Sequence, residues 1–262
     1  MRFDHALIAV VDLDAATADF EALGFRIAYG GKHAGGLTHN SLITFKDASY
    51  LELIAPADPG LLQDPPEPGP GNYLFLFDAG EGYAGYALHT DELDRVVDRV
   101  RKRGVAIDDP GAGGRLREDG VELAWHTAFP LGSTSPFFIT DDTPREHRVR
   151  TDPEIVSHPN GAMGIARGMS LVANFDEGIA RYSSLLGADP NEGPKINGAR
   201  SASFIIGTFE AVIAAPTEPG SSLAQHLDAR GEGLYQIEIE SSRPSNSGIL
   251  VSHGARIVIG GE

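Results

Sequence analysis

The chain contains no cysteine, which excludes disulfides, thiolate nucleophiles and cysteine-ligated metals. No run approaches the roughly 20 consecutive apolar residues of a membrane-spanning helix. The opening residues also lack the basic stretch and long apolar core of a secretory signal. A cytoplasmic protein without a membrane partner is therefore expected. Basic residues are scarce: 21 Lys and Arg stand against 37 Asp and Glu, a formal net charge of −16. That balance argues against a nucleic-acid partner, because phosphate binding needs a concentrated basic surface. Two local basic clusters exist. Arg95, Arg99 and Arg103 share one helical face and read as solvated, whereas Arg145, Arg148 and Arg150 fall in a later loop. No Gly-x-Gly-x-x-Gly, P-loop or Gly-x-Ser-x-Gly motif occurs in the strand-to-helix context that gives it meaning. The only tryptophan, Trp125, reads as a core residue.

Glycine and proline are plentiful, 32 and 17 residues, which predicts many short elements joined by turns. At 262 residues and 41% apolar, the chain can bury one large core or two moderate ones. Its pattern repeats. "FDHALIAVV" reads as a strand and Asp12 as a helix cap, followed by an apolar face of Leu13, Ala16, Phe20 and Leu23. Three further strands follow in "FRIAYGG", "NSLITFKD" and "SYLELIAP". The Pro-rich residues 56–71 then read as a surface loop. The same β-α-β-β-β plan restarts at residues 83–107, with Thr90 or Asp91 as cap, and again at 164–188, with Asn174 as cap. A fourth pass, from "LYQIEIES" onward, reads as clipped after its second strand. The expected class is α+β: tandem βαβββ modules in two domains, with curved mixed sheets and flanking helices. Residues 1–145 and 163–262 are the expected domains, with 146–162 as a polar linker.

The opening His5, "DLD", "ALGF", "GGKHAGGLTHNSLITF" and "YLELIAP" resemble the glyoxalase-like branch of the vicinal oxygen chelate superfamily. "DGVELAWHTAFP", "PFFI" and "HPNGA" extend the resemblance to about residue 162. It implies paired modules that curl a sheet into a cup for a divalent metal and a small molecule. It also implies one ligand from the first strand and one from the last strand of each module. His5 and Glu52 match those positions in module one. An imidazole and a carboxylate suit iron, manganese, zinc, nickel or cobalt. In module two Gly85 stands where a second histidine is expected, and Phe138 or Ile139 where a second glutamate is. His89 is then a candidate third ligand, and Glu122 and His126, which share a strand face, are candidate polar groups. In the second half Arg167 or Gly168 matches His5 and Val212 matches Glu52, so no equivalent metal site is expected there.

The segment "HAGGLTHNSL" adds His33, Thr38, His39 and Asn40 around two glycines. Period-two alternation puts Thr38 and Asn40 on one strand face and His39 on the other. Asn40 can orient a carbonyl or hydroxyl, and His39 or His33 can act as a base. The assignments are then His5, Glu52 and His89 for metal, His39 and Glu122 for proton transfer, and Thr38, Asn40, His126 and Phe138 for substrate. Two functions remain open: a metal-dependent lyase, isomerase or dioxygenase acting on a small oxygen-bearing molecule, and a metal-free protein that sequesters one. A scaffold with vestigial cups is a third reading, and a homodimeric assembly is left open.

Overall fold

The computed structural model describes residues 1–67, 72–132, 136–243 and 248–260. The first module comprises β1 (Arg2–Ala9), α1 (Leu13–Ala22), β2 (Ala28–His33), β3 (Thr38–Thr44) and β4 (Tyr50–Pro56). Asp12 caps α1 by accepting from the Ala15 N–H, and Leu13, Ala16 and Phe20 are buried. Two short 3₁₀ turns, Pro59–Leu62 and Leu74–Phe77, lie in and beyond the Pro-rich stretch. Residues 68–71 of that stretch lie outside the described residues. The second module is β5 (Gly82–His89), α2 (Leu93–Lys102), β6 (Gly111–Leu116), β7 (Glu122–Ala128) and β8 (Phe137–Asp141). Glu92 occupies the cap position of α2, and the Thr90 hydroxyl accepts from its N–H.

These eight strands close into a barrel in the order β1-β4-β3-β2-β6-β7-β8-β5. Within each module the first and last strands pair in parallel, β1 with β4 and β5 with β8. The modules meet at two seams, β1 with β5 and β2 with β6. Residues facing outward, such as Ile8, Ile43, Leu53 and Leu88, form the larger core with the helices.

Two one-turn helices, α3 (Arg145–Arg148) and α4 (Pro153–Val156), lead to the second half. There β9 (Ala162–Leu171), α5 (Phe175–Leu186), β10 (Asn191–Glu192), β11 (Ala199–Ile206) and β12 (Phe209–Pro216) repeat the plan. Asn174 caps α5 as expected. After α6 (Ser222–Arg230) come β13 (Gly233–Ser241), β14 (Gly248–Ser252) and β15 (Ala255–Ile259). The sheet is open, ordered β10-β11-β12-β9-β13-β15-β14.

The fourth module differs from its reading as clipped after the second strand. β15 runs parallel to β13, as β4 does to β1, so it is the module's last strand. Among the described residues no helix and no further strand stand between β13 and β14. The halves share apolar packing: the rings of Phe3 and Phe209 stack 4.3 Å apart, and the Tyr83 hydroxyl donates to the Arg256 carbonyl. No helix among the described residues is long and apolar enough to cross a membrane.

Candidate active site in the barrel

The barrel lumen holds a cavity of about 40 Å³. Strand alternation selects its walls: His5 and Leu7 from β1, Asn40 from β3, and Tyr50, Glu52 and Ile54 from β4. The other half supplies mainly apolar side chains, Trp125 from β7 and Phe137 and Ile139 from β8.

His5 and Glu52 face each other, with Nε2 3.6 Å from Oε2. The other ring nitrogen is held by an unusual neighbour. The register of β1 on β5 slips between Phe3 and His5, and the bulged residue is Asp4. Its fully buried carboxylate lies 2.7 Å from His5 Nδ1. A carboxylate can only accept, so the Nδ1 proton is donated to Asp4 and Nε2 is left toward the cavity. Arg148 donates to both Asp4 oxygens, at 2.9 and 3.1 Å, and Arg145 also pairs with Asp4. Burial opposes ionisation of Asp4, yet Arg148, the His5 hydrogen bond and Arg145 together hold it well below the usual carboxylate range. Arg148 also grips Asp141 and donates to the Tyr50 hydroxyl, and the Tyr50 ring stacks 4.6 Å from that of His5.

Glu52 is equally well held. Asn40 donates to Oε1 at 2.7 Å, and His33 Nε2 lies 3.4 Å from the same oxygen. Burial would raise its pKa, but hydrogen bonding and charge from His33 and His5, with the Asn40 bond, bring it down to about 2. His33 is oriented by Thr38, 2.8 Å from Nδ1. The Asn40 carbonyl oxygen accepts from Arg115 Nη1 at 2.9 Å. One amide therefore separates a buried guanidinium from a buried carboxylate. Gly30 makes room for this junction: a Cβ there would lie 2.1 Å from Asn40 Oδ1 and 2.4 Å from Arg115 Nη1.

Residues 3–186 match the family model described as the glyoxalase-like domain. The chain belongs to that family. This glyoxalase-like protein also shares its fold with solved structures at low identity. A hypothetical protein from Staphylococcus aureus aligns at TM-score 0.76 and 14% identity, covering 98% of each chain. A mutant of 4-hydroxymandelate synthase from Streptomyces coelicolor aligns at TM-score 0.65 and 13% identity, over 97% of this chain and 77% of that one. No curated protein sequence matches significantly.

Of the residues selected from sequence, His5, Asn40 and Glu52 meet in the cavity and Thr38 supports them through His33. The others lie elsewhere. His89 turns to Asp141, 3.3 Å away, and is not beside the His5–Glu52 pair. His39 faces outward, edge-on to Tyr29. Glu122 is exposed, and His126 pairs with Asp142 on the outer face of β7. Phe138 is fully buried in the outer core, between the lumen-facing Phe137 and Ile139.

The four-ligand metal set does not assemble. Leu7 pairs with Glu52 as Ala87 pairs with Phe137, so Phe137 is the structural counterpart of Glu52. Its ring stands edge-on to His5, 5.7 Å between centroids, where a second carboxylate would be needed. Gly85, the counterpart of His5, has no side chain to offer. Among the described residues no group of three or more His, Asp or Glu side chains is arranged to hold a metal ion. The residues present do not fit the site that the family resemblance implies.

Sequence reading missed Asp4, Arg115 and Arg148 as site residues. Asp4 carried a local signal, an acid inside an otherwise apolar strand. Arg148 lay in a noted basic cluster within the expected linker. Arg115 had no local signal; it reaches Asn40 because β2 pairs with β6, placing His33 opposite Arg115.

Proposed function

We propose that the barrel binds a small oxygen-bearing molecule and moves a proton on it, an isomerase- or lyase-type reaction. The observation that carries this reading is His5, held through Nδ1 by a buried Asp4 with Nε2 turned into the cavity toward Glu52. Glu52, with its pKa near 2, stays anionic and is a poor proton carrier near neutrality. His5 is the exchanging group. Its Nε2 takes a proton from a carbon next to a carbonyl, and the C–H electron pair moves toward the carbonyl oxygen as an enolate forms. Return of the proton to a different atom completes an isomerisation. Asp4 fixes the ring's tautomer, and Glu52 faces the protonated nitrogen. Asn40 and His33 hold Glu52 in place.

The test is exchange of the carbon-bound hydrogens of small 2-oxo and 2-hydroxy acids and their neutral analogues in D₂O, followed by NMR. Exchange above the buffer rate is expected in the parent protein, with a loss of about 10²-fold or more in His5→Ala. Exchange unaffected by that substitution would overturn the assignment. Metal analysis of protein purified without chelator or tag metal is the second arm. Stoichiometric metal lost in both His5→Ala and Glu52→Gln would replace this reading with the metal-dependent one. The sequestering alternative is favoured by the partly aromatic lining of the lumen. Its signature is binding without exchange.

A further inference from the structure

The cavity contains two buried guanidinium groups in opposite circumstances. Arg148 is saturated by Asp4, Asp141 and Tyr50. Arg115, 5% exposed, donates from Nη1 to the Asn40 amide oxygen and from Nη2 to the Arg148 carbonyl. Its Nε has no hydrogen-bond partner among the described residues. No carboxylate among the described residues pairs with it directly: Asp4 and Asp141 are held by Arg145 and Arg148, and Glu52 lies on the far side of the Asn40 amide. Asn40 is the reason, since its amide takes both the Arg115 donor and the Glu52 acceptor and keeps the two charges from joining directly. A buried donor without an acceptor costs roughly 1–3 kcal/mol, and more on a charged group. Arg115 lines the cavity, so an acceptor arriving there can meet a guanidinium that is short of partners.

The geometry points to Arg115 as the anchor for a carboxylate on the ligand, which makes the ligand a small carboxylic acid anion. This rests on the barrel lumen being the ligand site, as proposed above, and adds the chemical class. A planar carboxylate matches the flat array of guanidinium donors. Burial lowers the Arg115 pKa, with Glu52 as the main opposing influence, and an added anion would act in the same sense as Glu52. Size narrows the class. A cavity of about 40 Å³ accommodates a compact acid of a few carbons. With the carboxylate on Arg115, the adjoining atoms extend past Asn40 toward Glu52 and His5, where a 2-oxo or 2-hydroxy group would lie.

Calorimetric titration of the full chain with matched pairs separates charge from shape: pyruvate against pyruvamide, lactate against lactamide, acetate against acetamide. The carboxylates are expected to bind at least tenfold more tightly than the amides in the parent protein. That preference is expected to vanish in Arg115→Gln, to survive in part in Arg115→Lys, and to persist in His5→Ala. Equal affinity within each pair in the parent protein, or no binding of any carboxylate, overturns the assignment without recourse to a variant. A preference unchanged in a folded Arg115→Gln, checked by circular dichroism, also overturns it. Binding with intact preference but no isotope exchange would sink the proton-transfer reading and leave the carboxylate anchor standing.

Discussion

Gly30 shows how closely the site is fitted at the level of one residue. Alanine usually stabilises a strand relative to glycine by restricting the unfolded chain. At position 30 its Cβ would instead meet Asn40 Oδ1 at 2.1 Å and Arg115 Nη1 at 2.4 Å. Gly30→Ala is expected to destabilise by about 1–3 kcal/mol, the usual cost of overpacking. Denaturant unfolding measures this, and a rise in stability would show that the Asn40–Arg115 junction has slack. Gly113 plays a similar part across the barrel. A Cβ there would lie 2.3 Å from Trp125 Nε1 and 2.5 Å from the Tyr73 hydroxyl.

Between elements, the decisive joint is the β1 bulge against α3. Asp4 in the bulge and Arg148 at the end of α3 are both buried and bound to each other. Removing one partner leaves the other charge buried and poorly compensated, a loss of roughly 3–5 kcal/mol. Asp4→Asn and Arg148→Met should each reach that range. The double variant should cost less than their sum, because the second change removes the charge stranded by the first. A thermodynamic cycle by urea unfolding reads this directly. Strict additivity would mean that the pair does not act as a unit. Because Asp4 also orients His5, Asp4→Asn should slow proton exchange more than Arg148→Lys does, provided both variants fold.

For the whole molecule, the buried carboxylates set the response to acid. Asp4 and Asp141 titrate well below the ordinary range, and Glu52 at about 2. In the unfolded chain such groups titrate near pH 4. The folded state therefore binds fewer protons between these values, and its stability from these groups is complete above about pH 5. It declines as pH falls through 4 toward 2. Thermal midpoints between pH 7 and pH 3 should fall steeply below about pH 5, and less steeply in Glu52→Gln. A flat profile down to pH 3 would contradict the ionised, paired state of these acids.

Local patterns in the sequence determined a good deal. Period-two alternation placed Asn40 and Thr38 opposite His39, and the family resemblance marked His5 and Glu52, the two residues that meet in the lumen. The repeated strand-helix plan implied paired modules before any register was known. These are short-range properties, set by backbone geometry and the burial of one face. Tertiary structure alone decided the rest. The bulge at Asp4 and the return of Arg148 from the expected linker depend on contacts far apart in sequence. So does the β2–β6 seam that brings Arg115 to Asn40. Phe137, not Phe138, occupies the counterpart of Glu52 because the β5–β8 register sets the phase of alternation, and a shift of one residue exchanges lumen for core.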